Sequence, residues 1–97
     1  MAAPPSYPKG DLRRMLVVLA AIAELRPHAT VVRIALRTGL DRHSVMGLIT
    51  QAREQAGVTI EKNGSLYRIT GWGNVIRRDG AKAALAPPDR TKRRNPL

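Results

Sequence analysis

The sequence predicts a small, mainly helical α+β domain in which a three-helix bundle is followed by a β-hairpin. Three observations predict it. Three apolar segments of helical period each follow a capping residue, a glycine stands between the second and third, and the period changes to that of strands around Asn63-Gly64. With 97 residues the chain has room for one core. Apolar residues make up 43% of it but aromatics only 3%, so Leu, Ile, Val, Ala and Met must fill that core.

Residues 1 to 10 hold three prolines and no apolar period, which reads as a flexible leader. Asp11 is placed to cap a first helix over 11 to 26, with Leu12, Met15, Leu16, Leu19, Ile22 and Ala23 on one face. Pro27 ends it, because proline lacks an amide hydrogen and drives the preceding residue out of helical geometry. Thr30 caps a second helix, Val31 to Thr38, which stops at Gly39 because glycine alone enters the left-handed conformation at little cost. Leu40 fills the turn. Asp41 then caps a third helix, Arg42 to Ala56, with Val45, Leu48, Ile49 and Ala52 inward and Gly57 beyond its end.

A two-residue turn at Asn63-Gly64 would pair Lys62 with Ser65, Glu61 with Leu66, Ile60 with Tyr67, Thr59 with Arg68 and Val58 with Ile69. Ile60, Tyr67, Val58 and Ile69 would then close the bundle while Thr59 and Arg68 point outward. The folded unit is expected over 11 to 73, with Trp72 as a packing anchor between two glycines. Residues 74 to 97 read as a basic C-terminal extension: a short helix beginning over 74 to 78 and interrupted at Asp79-Gly80, then a disordered tail.

Seventeen Lys and Arg against seven Asp and Glu give a net charge of +10, and the isoelectric point near 11.5 points to a polyanionic partner. Residues 1 to 73 carry ten cations and five anions, and residues 74 to 97 carry seven and two, so a quarter of the chain holds half the excess. Nucleic acid is favoured over membrane, since the basic segments lack the apolar face an interfacial helix buries. Arg13-Arg14 before an apolar run resembles a secretion signal, but Asp11 and Glu24 flank the run, and its removal would strip the other helices of their packing partner. No cofactor is expected: the chain has no Cys, and His28 and His43 stand fifteen residues apart without an evident carboxylate partner. No paired carboxylates, nucleophile with a base, or Gly-rich phosphate loop with a lysine appears, so an enzyme is not expected.

Ile34, Ala35, Gly39, Leu40, Val45 and Leu48 have the spacing at which helix-turn-helix regulators of bacteria and phages cross two helices around a small residue and a glycine. Tyr67-Arg68-Ile69-Thr70-Gly71-Trp72-Gly73 is similar to the pattern closing the second wing strand in MarR-, IclR- and ArsR-like domains. The chain thus resembles a winged helix-turn-helix over about residues 11 to 73, though it lacks the length for those families' effector domains and long dimerisation helices. The resemblance implies sequence-specific binding of double-stranded DNA by a small prokaryotic or phage transcriptional regulator, in a cytoplasmic, nucleoid-associated location. No small-molecule effector is expected, and homodimer formation is left open. The alternatives are a winged-helix protein-interaction module and an RNA-binding winged helix, the latter weakened by the scarcity of aromatic side chains for stacking.

The resemblance places Arg42, His43, Ser44, Met46, Gly47, Thr50 and Gln51 of the third helix on the DNA. Arg42 can bridge a guanine edge or clasp a phosphate, Gln51 can pair with adenine, Met46 and Thr50 can meet a thymine methyl, and Gly47 permits close backbone approach. Ser44 and the helix N-terminus suit a phosphate. Lys62, Asn63 and Arg68 would set the hairpin on the backbone or minor groove. Arg90, Lys92, Arg93 and Arg94, four cations within five residues, would add a tail that neutralises phosphates.

Overall fold

Each of the first three helices opens on the side chain placed to cap it. In the computed structural model, which describes residues 6 to 86, Asp11 accepts from the Arg13 amide at the start of α1 (Leu12–Leu25). Thr30 accepts from the Arg33 amide at the start of α2 (Val31–Thr38), and Asp41 from the Ser44 amide at the start of α3 (Arg42–Gln55). Each such bond satisfies an amide that the first helical turn leaves orphaned. Gly39 ends α2 in the left-handed region at φ +78°, and its amide donates to the Ala35 carbonyl at 2.9 Å. The order continues with an antiparallel pair, β1 (Thr59–Asn63) and β2 (Leu66–Gly71), and closes with α4 (Arg78–Leu85). Among the described residues the architecture is α+β and mainly helical, with four helices and one two-stranded hairpin.

α1 is the centre of the molecule. The one-sided face expected for it is only part of what it buries: Val17, Val18, Ala20 and Ala21 are buried as well as Met15, Leu19 and Ile22, while Leu12 is 63% exposed. A helix apolar on most sides must be covered on most sides. α2 and α3 cover one side, and α4 packs along another, burying Ala81, Ala84 and Leu85 together with Ile76 from the preceding loop. Leu19, Ile22, Ile34, Val18 and Val45 are the largest fully enclosed side chains, each worth about 1.5 to 3 kcal/mol relative to exposure.

α4 corrects the expectation for the C-terminal extension. The helix lies over 78 to 85 rather than 74 to 78, and Asp79-Gly80 sit in its first turn instead of interrupting it. An acidic residue in the first turn meets the positive end of the helix dipole, and glycine costs least near an end, where tertiary packing offsets its poor propensity. The expected packing of Trp72 is found: it is half-buried against the core, beside Ala20, Ala23 and Leu85.

The leader is also corrected, because Tyr7 packs against the core and its hydroxyl donates to the Ala84 carbonyl at 2.7 Å. That carbonyl belongs to the last turn of α4, where no intrahelical donor remains. The Arg13 guanidinium lies 4.4 Å from the Tyr7 ring centroid and also bonds the Asp11 carboxylate, which it holds down at a pKa of about 2. Tyr7→Phe should therefore lower stability by about 1 kcal/mol through the lost hydrogen bond, with the ring packing kept. Urea denaturation of the two proteins measures it, and equal midpoints would refute the contact.

The hairpin register differs from the expected one. Asn63 pairs with Leu66, Lys62 with Tyr67, Glu61 with Arg68 and Ile60 with Ile69, and after an irregularity between Thr59 and Ile60, Thr59 pairs with Gly71. The two-residue turn is Gly64-Ser65, with Gly64 at φ +64°. In an antiparallel pair, alternate residues point their amides toward and away from the partner strand. The observed register turns the Tyr67 amide away from β1, and it donates to the Ala29 carbonyl at 2.9 Å, tying the hairpin to the α1–α2 connection. Arg53 adds a second tie from α3, donating to the Ile60 carbonyl at 2.8 Å. The inward set survives the change, since Ile60 and Tyr67 remain buried and Ile69 half-buried.

Candidate nucleic-acid interface

The geometry of the candidate surface starts at Asp41. Its carboxylate accepts the Ser44 amide at 3.0 Å and the Ser44 hydroxyl at 2.6 Å, and these two bonds hold its pKa below the ordinary value. The cap anchors the first turn of α3, and Val45, Ile49 and Ala52 anchor its inner side in the core. At 3.6 residues per turn the opposite side is then determined. Arg42, His43, Met46, Gly47, Thr50 and Gln51 are all exposed along it. Ser44 stands apart from this stripe, half-buried with its hydroxyl held by Asp41.

The hairpin brings one of its three candidate residues to this stripe. Lys62 lies on the inward-facing side of β1, its ammonium 5.7 Å from the Tyr67 ring centroid. Lys62 and Ser65 line a single cleft with Arg42, His43 and Met46 of α3 and with Thr30 to Val32 at the start of α2. Asn63 and Arg68 occupy the other side of the hairpin, in a separate groove with Arg26 and Pro27. Arg68 is paired there with Glu61 at 3.1 Å, both side chains more than half exposed. An exposed pair of this kind contributes at most about 1 kcal/mol, so Arg68 can exchange its partner at little cost. Arg90, Lys92, Arg93 and Arg94 lie outside the described residues.

Val32 and Arg33 were not among the residues expected from sequence, yet both are exposed in the first turn of α2, and Val32 lines the cleft. The signal was present. With Ile34 and Thr38 buried and Val31 and Ala35 half-buried, the same helical period turns Val32, Arg33 and Leu36 outward. Among the described residues no group of three or more His, Asp or Glu side chains could hold a metal ion, and no helix is long and apolar enough to cross a membrane. No protein-family model, curated protein or solved structure matches the chain.

Proposed function

We propose that this protein binds double-stranded DNA sequence-specifically as a winged helix-turn-helix, in the role of a small transcriptional regulator. The observation that carries the reading is the exposed stripe of α3, which opens onto the same cleft as Lys62. From Arg42 to Arg53 α3 carries no acidic side chain, and a helix of about 10 to 12 Å diameter fits a major groove about 12 Å wide. α3 is the reading helix, with Arg42 and Gln51 as hydrogen-bonding readers. The hairpin is the wing, and Lys62 meets the phosphates beside the groove. The net charge of +10 supplies the attraction common to all sequences.

Fluorescence anisotropy at two salt concentrations, with duplex DNA enriched from a random pool, unselected duplex and single-stranded RNA, tests this. Enriched duplex should bind tightest, and all binding should weaken as salt rises. Arg42→Ala should cost about 1 to 3 kcal/mol on the enriched duplex and little on the unselected one, whereas Lys62→Ala should weaken both alike. Preference for the RNA, or no duplex binding at low salt, would overturn the reading.

A further inference from the structure

A second cavity, of about 630 Å³, opens between α1, the last turn of α2, Trp72 and α4, and it shares no residue with the cleft between α3 and the hairpin. No stretch of sequence signals it, because its walls come from four separate segments. Ala20 and Ala23, three positions apart on α1, offer only methyl groups to it, while the half-buried Trp72 and the buried Leu85 add an aromatic and a branched apolar wall. Packing alone would favour larger side chains at the two alanines, since close-packed proteins leave few voids. The volume lies within the range of about 300 to 1,000 Å³ usual for small-ligand sites.

The charges around this apolar lining are unevenly matched. Glu24 is engaged by Arg37 through two hydrogen bonds. Asp79 lies 3.9 Å from Arg77, a loose pair with both side chains 87% exposed. Arg78 and Lys82, four positions apart and so on one side of α4, also line the cavity, and among the described residues neither is paired with a carboxylate. An aromatic wall beside two uncompensated cations suits a ligand that joins a flat ring to a doubly charged anion. An indole can stack on any nucleobase, because every base has a π-face, and a phosphomonoester carries about 1.5 to 2 negative charges at neutral pH. From this juxtaposition we propose that the cavity binds a purine nucleoside 5′-monophosphate, with the base against Trp72 and the phosphate between Arg78 and Lys82. The purine is preferred to the pyrimidine because its larger ring buries more apolar area. Asp79, only weakly held by Arg77, accepts from the ribose hydroxyls, donors that a simple aromatic carboxylate lacks. The site is separate from the proposed DNA-binding surface and does not depend on it.

The chain holds a single tryptophan, so the indole N–H resonance in a proton–nitrogen correlation spectrum reports on the cavity directly. AMP, adenosine, ribose 5-phosphate and inorganic phosphate are titrated at about 0.15 M salt, where long-range attraction is screened, into the full chain, into Ala23→Leu and into the double variant Arg78→Ala, Lys82→Ala. Stacking of one base corresponds to roughly a fivefold to 150-fold gain in affinity, so AMP should bind at least fivefold more tightly than ribose 5-phosphate and shift the indole resonance. Removing both exposed cations should weaken AMP by about tenfold or more and leave adenosine unaffected. Ala23→Leu, which fills the cavity without changing charge, should block AMP while the protein still melts as a folded domain. AMP binding no tighter than ribose 5-phosphate or inorganic phosphate, undiminished affinity in the double variant, or saturation without movement of the indole resonance would overturn the proposal. Displacement of AMP by duplex DNA would assign the cavity to the polynucleotide and overturn it as well. A protein that binds AMP in this way but no duplex would keep the site and lose the DNA-binding reading.

Discussion

Gly73→Ala should destabilise the protein by about 3 kcal/mol. Gly73 lies at φ +72°, and a Cβ there would stand 2.6 Å from the Gly57 carbonyl oxygen and 3.1 Å from that of Ala56. Two costs combine. An L-residue in the left-handed region costs about 1 to 2 kcal/mol, and forcing an atom into packed backbone costs about 1 to 3 more. The obstructing atoms are main chain, so no rotamer change relieves them. The segment joining β2 to α4 must instead move away from the end of α3. Gly57→Ala provides the calibration: its φ is +68°, but nothing lies within 4 Å of its Cβ, so it bears the conformational cost alone. In a domain of this size 1 kcal/mol shifts the melting temperature by about 4 to 8 °C. Calorimetry should thus find Gly73→Ala melting well below Gly57→Ala, and coincident transitions would rule out the close approach.

The parts legible in the sequence were those set by local chemistry. Asp11, Thr30 and Asp41 cap where their side chains allow, Gly39 adopts the positive φ that ends α2, and the inward residues of α3 follow from its period. What escaped depends on distant partners. Nothing near Asn63-Gly64 announces that the Tyr67 amide has an acceptor in Ala29, and that bond accompanies the register that places the turn at Gly64-Ser65. Likewise α4 has only alanines and one leucine to bury, too weak an apolar pattern to stand out against Gly80. Its cover over the second side of α1 was nevertheless implied by Val17, Val18, Ala20 and Ala21, which a three-helix bundle with a one-sided first helix leaves unexplained. The candidate surface followed the same division. The exposed stripe of α3 could be read from helical period, and strand alternation already set Arg68 on the face opposite Lys62, whereas the capture of the Ser44 hydroxyl, the pairing of Arg68 with Glu61 and the cleft that joins Val32 to Lys62 required the folded chain.

Gly47→Glu should make the protein more stable and, on the proposed reading, abolish binding to DNA. Gly47 stands in the interior of α3, exposed, with open space around its Cβ position. A glycine there costs about 1 kcal/mol relative to alanine, and glutamate recovers roughly half of that, so the variant should melt a few degrees above the parent. On the proposed reading, the same position lies against the floor of the major groove. A glutamate would keep α3 from approaching and set an anion among phosphates, and affinity for every duplex should fall at least 100-fold at low salt, a loss of about 2.7 kcal/mol or more. Gly47→Ala separates the two contributions, since it raises stability further and adds one methyl without charge; its affinity loss should be much the smaller. The opposed signs are what give the experiment its force. A residue serving only the fold would show no binding penalty when improved, so a Gly47→Glu protein that is more stable and binds duplex as tightly as the parent would remove α3 from the interface and return the cationic surface to a solubilising role.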